Sequence, residues 1–110
     1  MSVAEQMTKL TDRFQADQAA GLEATIQLVF TGAEAEQWFV TIHQGTCTIA
    51  PGTAPAPRLT LTADSGDIFK ILSGQMNAMA AFMQGRLRLA GDMNLAQRLV
   101  SIFSRKVEGG

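Results

Sequence analysis

The chain reads as an α+β protein, with a five-stranded, mostly antiparallel sheet whose helices cover one face. Three observations predict this. At Leu22 the hydrophobic period changes from about 3.6 residues to 2. Five short runs then alternate apolar and polar residues, and all five sort alike: Ile26, Leu28, Phe30, Val40, Ile42, Ile49, Leu59, Leu61, Leu87 and Leu89 on one side, Thr25, Gln27, Thr41, Thr48, Thr60, Thr62, Arg86 and Arg88 on the other. Amphipathic helical runs flank the strands, enough to bury one sheet face and leave the threonine face to water.

Taken in order, Ser2 followed by Glu5 forms a capping box, and Val3, Met7, Leu10 and Phe14 make one helical stripe that runs until Gly21. The first strand starts at Leu22 and alternates through Phe30. A turn around Thr31 to Ala35 leads to Trp38, Val40 and Ile42, and His43-Gln44-Gly45-Thr46 reads as a tight hairpin into Cys47 and Ile49. Pro51, Pro55 and Pro57 exclude helix and central strand, so this stretch is a surface connection. Leu59, Leu61 and Ala63 form a fourth strand. Asp64 caps a helix carrying Ile68, Ile71 and Leu72, and a methionine-rich helix follows to Gly85. Leu87 and Leu89 make a short fifth strand, and Asp92 caps a last helix with Met93, Leu95, Ala96, Leu99, Val100, Ile102 and Phe103 inward or near it.

The 110 residues suit one domain over 1–110. Nine basic and ten acidic residues, with no block of like charge, lack the electrostatic footprint of a nucleic-acid binder. No stretch approaches the roughly 20 apolar residues that span a bilayer, and the amino terminus has no basic flank followed by an apolar run, so a cytoplasmic protein is expected. Cys47 is the only cysteine and has no internal disulfide partner.

Chemistry-bearing residues are sparse. His43 is the only histidine, and no second histidine or cysteine cluster stands at metal-ligand spacing, so no metal, cofactor or catalytic residue is expected. His43 reads as an exposed strand-end residue. Cys47 is phased with Ile49 on the apolar face, as an inert thiol. Asp64, Asp67 and Asp92 open helices, where a carboxylate offsets free N–H groups. The segment from Ser73 to Phe103 is the informative one. Met76, Met79 and Met83 recur at helical spacing beside Phe82, either as a deformable surface for a variable apolar ligand or as ordinary core filling. Gln97, between Leu95 and Leu99, either meets a lipid head group or faces solvent, as does Gln84.

These residues resemble a known family. The run SGQMNAMAAFMQGRLRLAGDMNLAQRL, with GLEATIQLVFTG, EQWFVTIHQGTCTI and LTLTADSGDIFKIL before it, is similar to the sterol carrier protein 2 domain family over nearly the whole chain. The most specific part spans Gly74 to Met93. The resemblance implies an apolar tunnel between sheet and helices that binds fatty acids, acyl-CoA, sterols or other lipids without chemistry. Its lining in this chain would be Ile26, Leu28, Phe30, Val40, Ile42, Leu72, Met76, Met79, Phe82, Met83, Leu87, Leu89, Met93, Ala96, Gln97, Val100 and Phe103. Two departures stand out. Ala78 follows Asn77 where members often have proline, and the chain ends Lys106-Val107-Glu108-Gly109-Gly110, without a peroxisomal tripeptide or the further segment of animal forms, which points to a free-standing bacterial member.

The leading function is lipid binding and transfer, with transient contact to a membrane or to a lipid-metabolising enzyme. The alternative is an accessory module that presents a lipid-like intermediate, such as an isoprenoid quinone precursor, to a partner enzyme.

Overall fold

A computed structural model describes residues 3–32 and 35–103. Ser2, with its half of the capping box, and part of the Thr31 to Ala35 turn lie outside the described residues, as does everything after Phe103. The elements are α1 (Val3–Asp12), β1 (Ala24–Thr31), β2 (Glu36–His43), β3 (Thr46–Pro51), β4 (Leu59–Asp64), α2 (Ser65–Leu72), α3 (Ala78–Met83), β5 (Leu87–Gly91) and α4 (Met93–Phe103). The sheet order is β3-β2-β1-β4-β5. Three pairings are antiparallel, and β1 with β4 is parallel.

The alternation that predicts each strand also decides which face is buried. Ile26, Leu28 and Phe30 of β1, Val40 and Ile42 of β2, Leu59 and Leu61 of β4 and Leu87 of β5 all sit in one core under the helices. The helices add Val3, Met7, Leu10, Ile68, Ile71, Leu72, Leu95, Leu99, Ile102 and Phe103. Phe30 stacks on Phe69 at 5.5 Å, which ties β1 to α2. The hairpin turns on Gln44 (φ 48°) and Gly45 (φ 77°), the two positive-φ positions of a two-residue loop.

Three expectations change. The first helix ends at Asp12 and not near Gly21, because the chain beyond it is drawn into α4: the Gln15 amide donates to Ile102 O and Arg13 Nε to Phe103 O, both at 2.9 Å. The methionine-rich helix is six residues long and starts after Met76, because Asn77 caps it, its Oδ1 accepting from the Ala80 amide at 2.9 Å. Gln27 is not solvated, although it sits on the polar face.

Gln27 is 5% exposed, the one buried polar side chain among the described residues. Its Nε2 donates to Trp38 O and Gly52 O, and its Oε1 accepts from the Ala54 amide at 2.7 Å. The proline-rich connection must pass from β3 back across β2 and β1 to reach β4. Gln27 satisfies the backbone groups of that connection where no strand can.

Gln27→Leu removes the amide and leaves these backbone groups unpaired. A loss of about 1–3 kcal/mol is expected in urea unfolding, together with faster proteolysis within residues 51–57. A loss below about 0.5 kcal/mol would mean that the backbone alone holds the connection.

Candidate functional site

Helix α4 carries two apolar stripes. Leu95, Leu99, Ile102 and Phe103 go into the core, whereas Met93, Ala96, Gln97 and Val100, at the i, i+3, i+4, i+7 spacing of one helix face, lie outside it, with Ala96 packed against its edge. This second stripe forms one wall of a groove of about 470 Å³. Gly74, Met76, Asn77, Ala78 and Met79 form the facing wall, and Leu89 of β5 completes the lining. The size lies within the range of about 300–1,000 Å³ that holds small organic molecules.

Both walls are fixed by polar contacts at their ends. Asp92 Oδ1 accepts from the amides of Asn94 (3.0 Å) and Leu95 (3.1 Å), and its Oδ2 accepts from Arg58 Nη2 at 2.7 Å. The Leu95 amide and then the Arg58 guanidinium hold its pKa below the ordinary carboxylate value. Gly91 makes this corner possible. At φ 115°, a Cβ there would stand 2.2 Å from Arg58 O, so only glycine lets β5 close against the start of β4. On the other wall, Arg86 Nη2 donates to Asp67 Oδ1 at 2.8 Å and binds the α3–β5 turn to α2. Asp67 and Asp92 therefore do more than open helices.

The groove is apolar with two amides, both exposed. Asn77 is occupied as a cap, whereas Gln97 is not. Met79, Phe82, Met83 and Met93 are 58%, 47%, 80% and 46% exposed, so Met79 and Met83 are not core filling. Met76 is half-buried and packs against the core.

The structure thus divides the expected lining in three. Met76, Met79, Leu89, Met93, Ala96, Gln97 and Val100 converge on the groove. Phe82 and Met83 lie exposed on α3, outside the lining. Ile26, Leu28, Phe30, Val40, Ile42, Leu72, Leu87 and Phe103 are in the closed core, each at most 3% exposed. Sequence reasoning missed Gly74, Asn77 and Ala78, because it counted only the apolar stripe of Met76, Met79 and Met83 as the wall. A glycine followed by an N-capping asparagine three residues later was the available signal.

His43 and Cys47 lie apart from the groove and on opposite sheet faces. Cys47 pairs in register with the inward Ile42, whereas His43 is exposed and contacts Glu23. The Gln44 amide, donating to Glu23 Oε2 at 2.8 Å, and then His43 lower the Glu23 pKa. Burial pushes the Cys47 thiol up to about 11. Among the described residues, no helix is long and apolar enough to cross a membrane.

Residues 5–104 match the family described as SCP-2 sterol transfer family. Hydroxysteroid dehydrogenase-like protein 2 of Xenopus tropicalis is 34% identical over 80 residues, 72% of this chain and 19% of that protein. Sterol carrier protein 2 of Rattus norvegicus is 32% identical over 71 residues, 64% of this chain and 13% of the rat protein. The chain therefore spans less than a fifth of the length of these curated relatives. Among solved structures, palmitated SCP2L2 from Aedes aegypti superimposes with a TM-score of 0.67 at 28% identity, covering 94% of this chain and 95% of that one. A sec-alkylsulfatase from Pseudomonas sp. gives 0.79 at 21% identity, covering 89% of this chain but 16% of its own, and shows the fold alone.

Two measurements check this geometry. Cys47 should alkylate with iodoacetamide at pH 8 about two hundredfold more slowly than free cysteine, from thiolate fraction alone. For Asp92, a folded pKa below the unfolded value of about 3.9 means stability that is full above that value and lost as pH falls through the lower one. Melting curves from pH 6 to pH 2 should fall less steeply in Asp92→Asn than in the parent protein.

Proposed function

The chain belongs to the SCP-2 sterol transfer family, and on that premise we propose that it binds a long-chain lipid in the groove and carries it without chemistry. The observation that bears most weight is the groove itself, an apolar recess with one uncommitted amide and methionines on its walls. Unbranched thioethers follow the outline of different chains, so the ligand class is broad: fatty acid, fatty acyl-CoA or a sterol-like molecule. Support comes from the Aedes aegypti relative, a palmitated protein.

In this reading Met76, Met79, Leu89, Met93, Ala96 and Val100 touch the chain, and Gln97 meets its polar end. Phe82 and Met83 extend the apolar rim on which a membrane would be met. The core residues from Ile26 to Phe103 become a tunnel lining when α4 lifts. The domain acts in the cytoplasm, as a single unit over residues 1–110.

Energetics favour carriage over storage. Burying a 16-carbon chain is worth roughly 13 kcal/mol at about 0.8 per methylene, but a bilayer returns nearly the same amount. A ligand so balanced exchanges readily.

Delipidated protein titrated with a fluorescent fatty acid should saturate in the micromolar range. Ala96→Trp, which fills the groove from α4, should weaken binding at least about tenfold, the effect of losing a hydrophobic contact worth one or two methylenes or more, while the melting temperature stays within a few degrees. No saturation at tens of micromolar sinks the reading. Unchanged affinity in Ala96→Trp moves the ligand elsewhere.

A further inference from the structure

A second recess, of about 190 Å³, lies between α1 and α2, lined by Gln6, Lys9, Leu10, Arg13, Phe69, Lys70, Ser73 and Gln75. Its charged lining is entirely cationic. Lys9 and Lys70 are exposed, and the ion pairs among the described residues are Glu23 with His43, Asp92 with Arg58 and Asp67 with Arg86, so neither lysine is in one. Arg13 is a fixed cation, its Nε donating to Phe103 O at 2.9 Å and its Nη2 to Ser73 O at 3.4 Å. A lysine in the last turn of a helix complements the helix end by itself. Three cations around one recess, Lys9 on α1, Arg13 just after it and Lys70 on α2, with no carboxylate in the lining, exceed that need.

The charge specifies the ligand. A carboxylate brings one negative charge and two oxygens to three cations. A phosphate monoester, with a charge of about −1.5 to −2 near neutral pH and three acceptor oxygens, meets all three.

The position of the recess connects it to the groove. The turn after α2 separates the two, with Ser73 and Gln75 lining the recess and Gly74 and Met76 lining the groove. We propose that the recess between α1 and α2 binds a phosphate monoester and serves as the head-group subsite for a lipid whose chain lies in the groove. The site stands on its own residues; its service to a lipid rests on the function proposed above.

The test compares dodecyl phosphate with dodecanol on delipidated protein at low ionic strength, below the micellar concentration, by displacement of a fluorescent fatty acid. Inorganic phosphate is titrated separately, with the backbone amides of Lys9, Lys70 and Ser73 followed by NMR. Dodecyl phosphate should bind about fivefold more tightly than dodecanol, the preference expected of two exposed ion pairs. Lys9→Ala with Lys70→Ala should remove that preference and leave dodecanol affinity unchanged. Amide shifts with inorganic phosphate, lost in the lysine variants but unaccompanied by any preference between the dodecyl ligands, would keep the site and overturn its head-group role. Equal affinities and no phosphate shifts overturn the site while the groove reading stands. If neither dodecyl ligand binds, the lipid reading and the head-group role fall together, and the phosphate titration alone decides the recess.

Discussion

The parallel pairing of β1 with β4 is the constraint on which the rest of the structure depends. Strand β4 follows β3, which lies on the far edge with β2 and β1 between them, so the chain must recross both before it can pair. It does so in a stretch with prolines at 51, 55 and 57, which offers few amides for a ladder. The Gln27 side chain supplies the missing bonds from the middle of β1. Once β4 is placed, β5 becomes the opposite edge, and α3 and α4 must cover that edge between them.

They cover it incompletely, and the groove is the result. Helix α3 is held to six residues by Asn77 at its start and the turn at Gln84 and Gly85 at its end. Helix α4 commits one apolar stripe to the core and has none of the described elements over the other. An enclosed void of about 470 Å³ would cost about 11 kcal/mol at ~24 cal/mol per Å³, as much as a domain's whole stability. A recess open to solvent avoids that penalty, and flexible methionines on its walls can follow whatever enters.

The walls of the groove and of the smaller recess are mechanically joined. Arg13 bonds to Phe103 O at the end of α4 and to Ser73 O in the turn after α2. Gln15 adds bonds to Ile102 O and Ser101 O. The segment after α1 thus clamps the last turn of α4, one wall of the groove, to the turn that divides the two recesses. Any displacement of α4 would pass first through these few bonds, since the opposite end of the helix is locked by Asp92 and Arg58.

The sequence by itself determined the strands, their buried faces, the hairpin at Gln44 and Gly45, the caps at Asp64 and Asp92 and the family resemblance, because each is a local signal: a period, a turn pair, a carboxylate before a helix. It also placed Met76, Met79, Leu89, Met93, Ala96, Gln97 and Val100 among the candidates. It did not separate them from Ile26, Leu28 or Phe103, since an apolar side chain has the same pattern whether it faces a core or a groove. Tertiary structure decided that, by pairing β4 with β1 and leaving one stripe of α4 uncovered. It decided equally that Gln27 is buried, that the first helix stops at Asp12 and that Lys9 and Lys70 line one recess, because each depends on which distant segment arrives alongside, and periodicity carries no information about distance across the chain.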